Sequence, residues 1–201
     1  MLLLSLETAC YTEASAALLE DSSVLREEVW PMGREVSSKL LPTVADFLQG
    51  KKPDLIVVDR GPGSFTGIRT GLAAAQGLAL GYKIPILGVS FCSYFPKQTE
   101  GNELLLINAR AGGGYYFEYR PANSHAVMGY ARAEEIPEKF KKLTCFYGDK
   151  PEFALDAPFF ESAPKISAVE LAKIALQEKE KGKALPAEAI YLHCRIVPPK
   201  K

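Results

Sequence analysis

The chain lacks a net charge of either sign: 24 Lys and Arg stand against 24 Asp and Glu over 201 residues. That balance, with an isoelectric point near 6.7, excludes the electrostatic footprint of a protein that binds nucleic acid on its own. Any RNA contact has to come from a local patch or from a partner. Histidine is scarce. His125 and His193 lie far apart, no Cys/His pair sits at ligand spacing, and a metal site is therefore not expected. Cys10, Cys92, Cys145 and Cys194 include no C-x-x-C pair and read as thiols of a reducing compartment. No apolar run approaches the roughly 18 residues of a membrane span. Residues 1–7 lack a basic n-region and Glu7 interrupts their apolar run, so no signal peptide is expected and the expected location is the cytoplasm.

What is present is ordinary for a soluble globular chain, with 47% hydrophobic and 24% charged residues, and its length suits one large domain or two small lobes. Residues 2–6, 14–20 and 24–30 read as a three-stranded meander. Residues 36–49 switch to helical spacing, with Pro42 inside as an expected kink or restart. Residues 54–59 form a strand of buried type that runs through Gly61-Pro-Gly-Ser-Phe-Thr-Gly67 into a helix over about 66–81. A strand at 85–88 and a short helix at 89–95 follow. The strand pattern then restarts at 103–108, 115–120, 125–132 and 144–148, with a short helix at 134–142. An amphipathic helix over 167–181 carries Ser167 as N-cap, Glu170 as the partner of a capping box, and Gly182 as a stop. The alternation after a meander predicts an α/β fold with a partly parallel sheet, and the restart hints at duplication.

The glycine-rich turn invites a phosphate-binding reading, which its spacing refuses. Both a Walker A loop and a dinucleotide fingerprint would place glycine at residue 66, which is Thr66, and no lysine follows Gly67. The glycines instead permit a sharp turn, and Gly67 lets the helix start lie close to something else. The helix itself carries Gly67, Gly71, Gly77 and Gly81 among alanines. Interior glycines cost about 0.8–1.0 kcal/mol each, so close backbone packing has to return the loss. Packing within the monomer and an intermolecular seam are equally open on this pattern.

Asp59-Arg-Gly-Pro-Gly-Ser-Phe-Thr-Gly-Ile-Arg69, then Gly71-Leu-Ala-Ala-Ala-Gln-Gly-Leu-Ala79 and Ile84-Pro-Ile-Leu-Gly-Val-Ser90, closely resemble the TsaB (YeaZ) family. Weaker likenesses lie in Leu4–Ala9, Ser38–Pro42, Ile107–Arg110, Tyr115–Tyr119 and Pro186–Leu192. The resemblance implies a two-lobed actin/Hsp70/sugar-kinase-like (ASKHA) α/β fold with mixed sheets and a degenerate nucleotide cleft. It divides the chain into a first lobe over 1–101 and a smaller second lobe over 102–201, with a C-terminal segment that can pack back on the first. It further implies a non-catalytic subunit that dimerises with a TsaD-like catalytic subunit, which transfers threonylcarbamoyl to the adenosine beside the tRNA anticodon. A TsaE-like ATPase joins, the chain is a homodimer when alone, and tRNA is met only through the complex. No cofactor is expected to bind strongly to this chain alone; any ATP or ADP is expected at the interface of the complex. The chain departs from the family pattern at Glu7 (usually Asp), Val36 (commonly His), Asn108 (usually Asp) and the Ala111–Gly114 turn, where an acidic residue often sits.

The residues themselves agree with a subunit that has no chemistry of its own. The first turn, Thr8-Ala-Cys-Tyr-Thr-Glu13, has no glycine and a negative charge, which suits a triphosphate badly. Cys10 lacks a base, Gly112–Gly114 read as a hairpin turn before a phosphate nest, and Tyr115, Tyr116, Phe117 and Tyr119 read as core before RNA-stacking ladder. Arg195, Lys200 and Lys201 form a short basic tail. The expected partner surface is a helix seam of Leu40, Leu41, Val44 and Leu48 with Ile68, Gly71, Leu72, Ala75, Leu78 and Ala79. On that reading Gly71→Leu or Ala75→Arg abolishes pairing and leaves the monomer folded. The alternative function is a small ATP-dependent phosphotransferase or ATPase of the same superfamily, and a glycoprotease-like hydrolase lacks its metal or nucleophile set.

Overall fold

The apolar run at the start of the chain becomes β1 (Leu2–Glu7), the middle strand of a five-stranded sheet. The computed structural model describes residues 1–95, 97–110, 113–155, 157, 160–162 (in backbone), 166–183 and 185–192. β2 (Glu13–Glu20) pairs antiparallel with β1, and β3 (Ser23–Pro31) antiparallel with β2. β4 (Leu55–Asp59) pairs parallel on the other side of β1, and β5 (Ile86–Val89) parallel with β4. The order is therefore β3-β2-β1-β4-β5.

Strand periodicity decides what covers each face. Leu4, Leu6, Ala16, Leu18, Ile56 and Val58 face two helices, α1 (Val36–Leu48) and α2 (Phe65–Tyr82). Leu3, Ala17, Leu19, Leu55 and Val57 face α4 (Ala168–Glu180) on the other side. α1 continues through Pro42, which lies exposed, so the proline neither ends nor restarts it. Ser167 caps α4 as expected, accepting from the Glu170 N–H. The Glu170 carboxylate pairs with Lys173 at 2.6 Å, so half of the capping box is replaced by an ion pair.

The same plan recurs in the second half of the chain. β6 (Glu103–Asn108) is central, β7 (Gly114–Arg120) and β8 (Val127–Arg132) extend it antiparallel, and β9 (Cys145–Gly148) and β10 (Phe160–Ser162) extend it parallel. Its order, β8-β7-β6-β9-β10, repeats that of the first sheet strand for strand. Leu104, Leu106, Tyr115, Phe117, Ala131 and Phe146 pack with Ile136 of α3 (Ile136–Lys139), with Phe140 and with Leu143. Tyr115 and Phe117 are thus core, while Tyr116 packs edge-on against Tyr130. The strand β10 was not anticipated.

The chain divides into two units, residues 1–94 with 164–190, and residues 95–163 with 191–201. This moves the expected boundary at 101 and assigns α4 to the first unit, because its stripe of Ala168, Val169, Leu171, Ala172 and Ala175 covers the back of the first sheet. Residues 185–190 also pack on this unit. Gly88 N–H donates to the Leu185 carbonyl (2.9 Å), Gln76 Nε2 to the Ala187 carbonyl (2.9 Å), and Ile190 N–H to the Arg60 carbonyl (2.8 Å). Ala111, Gly112 and the tail from His193 lie outside the described residues.

The small residues of α2 divide by face. Ala75 is fully buried and a Cβ on Gly71 would fall on the Thr8 hydroxyl, whereas Gly77 and Gly81 face open space. Gly71→Leu and Ala75→Arg are therefore expected to unfold the unit, contrary to the sequence expectation, since each forces bulk or charge into a closed core. Gly77→Ala, by contrast, should raise stability by about 0.5–1 kcal/mol in urea unfolding, through helix propensity alone.

Candidate functional site

The glycine-rich loop and the first turn of the chain are joined backbone to backbone. β1 and β4 lie side by side and parallel, so the segments leaving their C-terminal ends, Thr8–Thr12 and Arg60–Ser64, emerge together. Ser64 N–H donates to the Ala9 carbonyl at 2.7 Å, Thr8 Oγ1 to the Gly67 carbonyl at 2.8 Å, and Tyr11 hydroxyl to the Gly63 carbonyl at 3.0 Å. A Cβ on Gly63 would collide with the carbonyl oxygen of Ala9, and one on Gly67 with that of Thr8. Glycine is needed here for approach, as the sequence suggested, and what it approaches is the first turn. Ser64 completes the junction by capping α2 through the Gly67 N–H.

Beneath this junction lie two carboxyl groups with no solvent exposure, Glu7 and Asp59. Glu7 Oε1 accepts from Ala9 N–H (2.8 Å) and Cys10 N–H (2.9 Å), and Asp59 Oδ1 accepts from Gly61 N–H (2.6 Å). Glu7 Oε2 and Asp59 Oδ2 are buried without a hydrogen-bond partner. Burial pushes both groups upward, Asp59 to about 7, and the neighbouring Asp59 charge raises Glu7 further. Tyr94, whose hydroxyl donates to the Ser167 carbonyl at 3.4 Å, is also raised, by burial first and then by these acids.

This arrangement limits the chemistry of the first turn. A turn that cradles phosphate presents free backbone N–H groups to the anion. Here Ala9 and Cys10 spend theirs on the Glu7 carboxyl, and the turn's carbonyls are occupied by Ser64 and crowded by Gly67. Among the described residues, no group of three His, Cys, Asp or Glu side chains could hold a metal ion.

The helix residues expected in a partner seam are mostly turned inward. Leu40, Val44 and Leu48 of α1, and Ile68, Gly71, Leu72, Ala75 and Ala79 of α2, are buried against their own sheet. Leu78 is half-buried and packs at the edge of the same core. Leu41 is 50% exposed. The large apolar residues that these helices leave at the surface are Leu41, Phe65 (49% exposed, beside the Arg69 guanidinium) and Leu80 (81%). Phe65 and Leu80 escaped the sequence reading because it followed the strongest helical stripe, which is the one a sheet claims. A groove of about 440 Å³ lies at the N-terminal ends of α1 and α2, between Met32, Arg34, Val36, Thr66 and Thr70. A second, of about 490 Å³, lies beside Leu80, between Gln76, Ala79, Lys83, Ile84 and Ile86.

A central strand flanked by an antiparallel hairpin and two parallel strands, occurring twice, defines an α/β protein of the actin/Hsp70/sugar-kinase-like class. The family model for TsaD, tRNA N6-adenosine threonylcarbamoyltransferase, matches residues 33–179. The tRNA threonylcarbamoyladenosine biosynthesis protein TsaB of Haemophilus influenzae is 32% identical over 193 residues, covering 81% of this chain and 82% of that protein. TsaB of Escherichia coli is 39% identical over 132 residues, covering 60% of this chain and 55% of its own length. The chain thus spans little more than half the length of that relative. YeaZ from Pseudomonas aeruginosa superposes with a TM-score of 0.67 at 22% identity, over 95% of this chain and 99% of that one. The chain belongs to the TsaB (YeaZ) family.

The junction makes a direct prediction. Gly67→Ala drives a methyl group into the Thr8 carbonyl and should lower stability by roughly 1–3 kcal/mol in urea unfolding, although alanine is the better helix former.

Proposed function

We propose that this chain is a non-catalytic subunit of tRNA threonylcarbamoyladenosine biosynthesis, pairing with a TsaD-like catalytic subunit and activating it. The names of the E. coli and H. influenzae relatives support the pathway. The observation that carries the non-catalytic reading is the closed first turn, whose Ala9 and Cys10 N–H groups are bonded to Glu7. In this reading the partner carries the reacting centre and transfers the threonylcarbamoyl group to the adenosine next to the anticodon. A TsaE-like ATPase joins the pair, tRNA is engaged only through the complex, and any ATP or ADP sits at the interface of the complex. The chain works in the cytoplasm and is a homodimer when alone. Among the described residues, no helix is long and apolar enough to cross a membrane.

The surface that suits a helical partner is the outward side of α1 and α2. There the apolar Leu41 and Leu80 stand beside the small residues Ala45, Ala73, Gly77 and Gly81, which leave room for another helix to approach. The inward stripe of the same helices is committed to the sheet, so pairing needs no unfolding of the unit.

Size-exclusion chromatography with light scattering, on this chain alone and mixed with the TsaD-like protein of the same organism, tests the reading. A peak of heterodimer mass formed at the expense of homodimer supports it. Absence of complex at micromolar concentrations, with magnesium-dependent ATP turnover by the isolated chain, would support the phosphotransferase alternative instead. Leu41→Glu and Leu80→Glu should each weaken pairing about tenfold or more, the loss expected for an interface anchor, while leaving the thermal transition of the monomer unchanged.

A further inference from the structure

Glu7 and Asp59 occupy successive strand ends of the first sheet, and the register Leu6↔Val58 sets them next to each other. The two-residue period puts both on the side of Leu3, Leu55 and Val57, the side that α4 covers. Each carboxyl has one oxygen fixed by backbone N–H groups and a second oxygen buried without a partner. Two ionised carboxylates in that position would repel each other with no water to screen them, and two orphaned oxygens would each forfeit a hydrogen bond. A single proton removes both difficulties.

We propose that Glu7 and Asp59 form a buried proton site, holding one proton between Glu7 Oε2 and Asp59 Oδ2, and that its loss to solvent loosens the first turn from the glycine-rich loop. The ionisable groups that bear on the pair are few. Cys10 lies on the turn itself, Arg60 follows Asp59, Tyr94 comes from the short helix Phe91–Tyr94, and Glu170 of α4 bears on Tyr94. Arg60 is the one cation among them, and its Nη1 donates to the Pro186 carbonyl at 2.6 Å. The second sheet ends its central strand in an amide where the first has an acid. Its central strand ends in Asn108, whose Oδ1 accepts from Arg110 N–H at 2.8 Å, an amide doing what the Glu7 carboxyl does for Ala9.

Because burial raises these groups in the folded chain, the folded state keeps a proton that the unfolded chain releases above the ordinary carboxyl range, about pH 4. The stabilisation is therefore fully present below that range and is lost as pH rises through the value near 7 of Asp59. Urea unfolding of the whole chain between pH 5 and pH 9 reads this directly, with Glu7→Gln and Asp59→Asn as probes. Either amide keeps the oxygen that its backbone donors need and supplies a permanent N–H in place of the proton. The wild-type unfolding constant should rise about tenfold per pH unit, relative to either variant, up to the pH where the proton leaves. At pH 8 each single variant should then be at least as stable as wild type. The double variant sets two NH2 groups against each other and should be less stable than either single one. Parallel pH profiles for wild type and both single variants, or a double variant as stable as the singles, would overturn the proposal. Should a variant fail to fold, carbon-13 carboxyl spectra of the wild-type chain still decide: one buried carboxyl remaining protonated at pH 6 is expected, and every carboxyl titrating near pH 4 refutes the site.

Discussion

The first unit depends on the contact between the backbone of Thr8 and Ala9 and the backbone of Gly63 and Gly67. Two parallel strands deliver their C-terminal segments to one place, and those segments can meet only if the second carries no side chain where it touches the first. From that contact follow the capped start of α2, the burial of Glu7 and Asp59, and the use of the turn's N–H groups inside the chain. A turn whose N–H groups, if free, could cradle a phosphate is here part of the packing. On the proposed function, such a contact suits a subunit that supplies a surface and leaves the chemistry to a partner.

The two sheets share one strand order, yet their strand ends are built differently. In the first, a paired acid is sealed beneath a tight junction; in the second, Asn108 is half-buried and holds its turn with a neutral amide, while its N–H donates to Asp149 at 2.7 Å. The helices are unequal as well. The first sheet is covered on both faces by long helices, α1 and α2 on one side and α4 on the other, whereas the second packs one face against the short α3 and the residues that follow it. The surface offered by α1 and α2 is thus a by-product of how much of each helix the sheet consumes.

Much of this was legible in the residues. Among the described residues, alternation and apolar runs located nine of the ten strands, helical spacing located α1 and α4, and the passage from strand through glycine-rich turn located α2. The Asp59–Arg69 run identified the family, and the failed nucleotide spacing pointed to close packing at Gly67. The helix faces were not legible, because a stripe such as Leu40, Val44 and Leu48 looks the same whether it meets a sheet or another protein. β10 was missed because three residues are too short to show a period. Which sheet α4 covers stayed open, because chain order says little about where a returning helix packs. Glu7, Glu13 and Asp59 read equally well as paired carboxylates or as turn-capping, solvated acids, because Glu7 and Asp59 stand 52 positions apart and only strand register makes them neighbours.

Amide hydrogen exchange, residue by residue, tests the central contact most directly. If the junction is the point on which the first unit depends, then at pH 5, where the buried proton is held, the N–H groups of Ala9, Cys10, Gly61 and Ser64 exchange only when the whole unit unfolds, as slowly as those of β1 and β4. Exchange at those four amides orders of magnitude faster than in the two strands would mean that the turn and loop separate freely, and the account would be wrong.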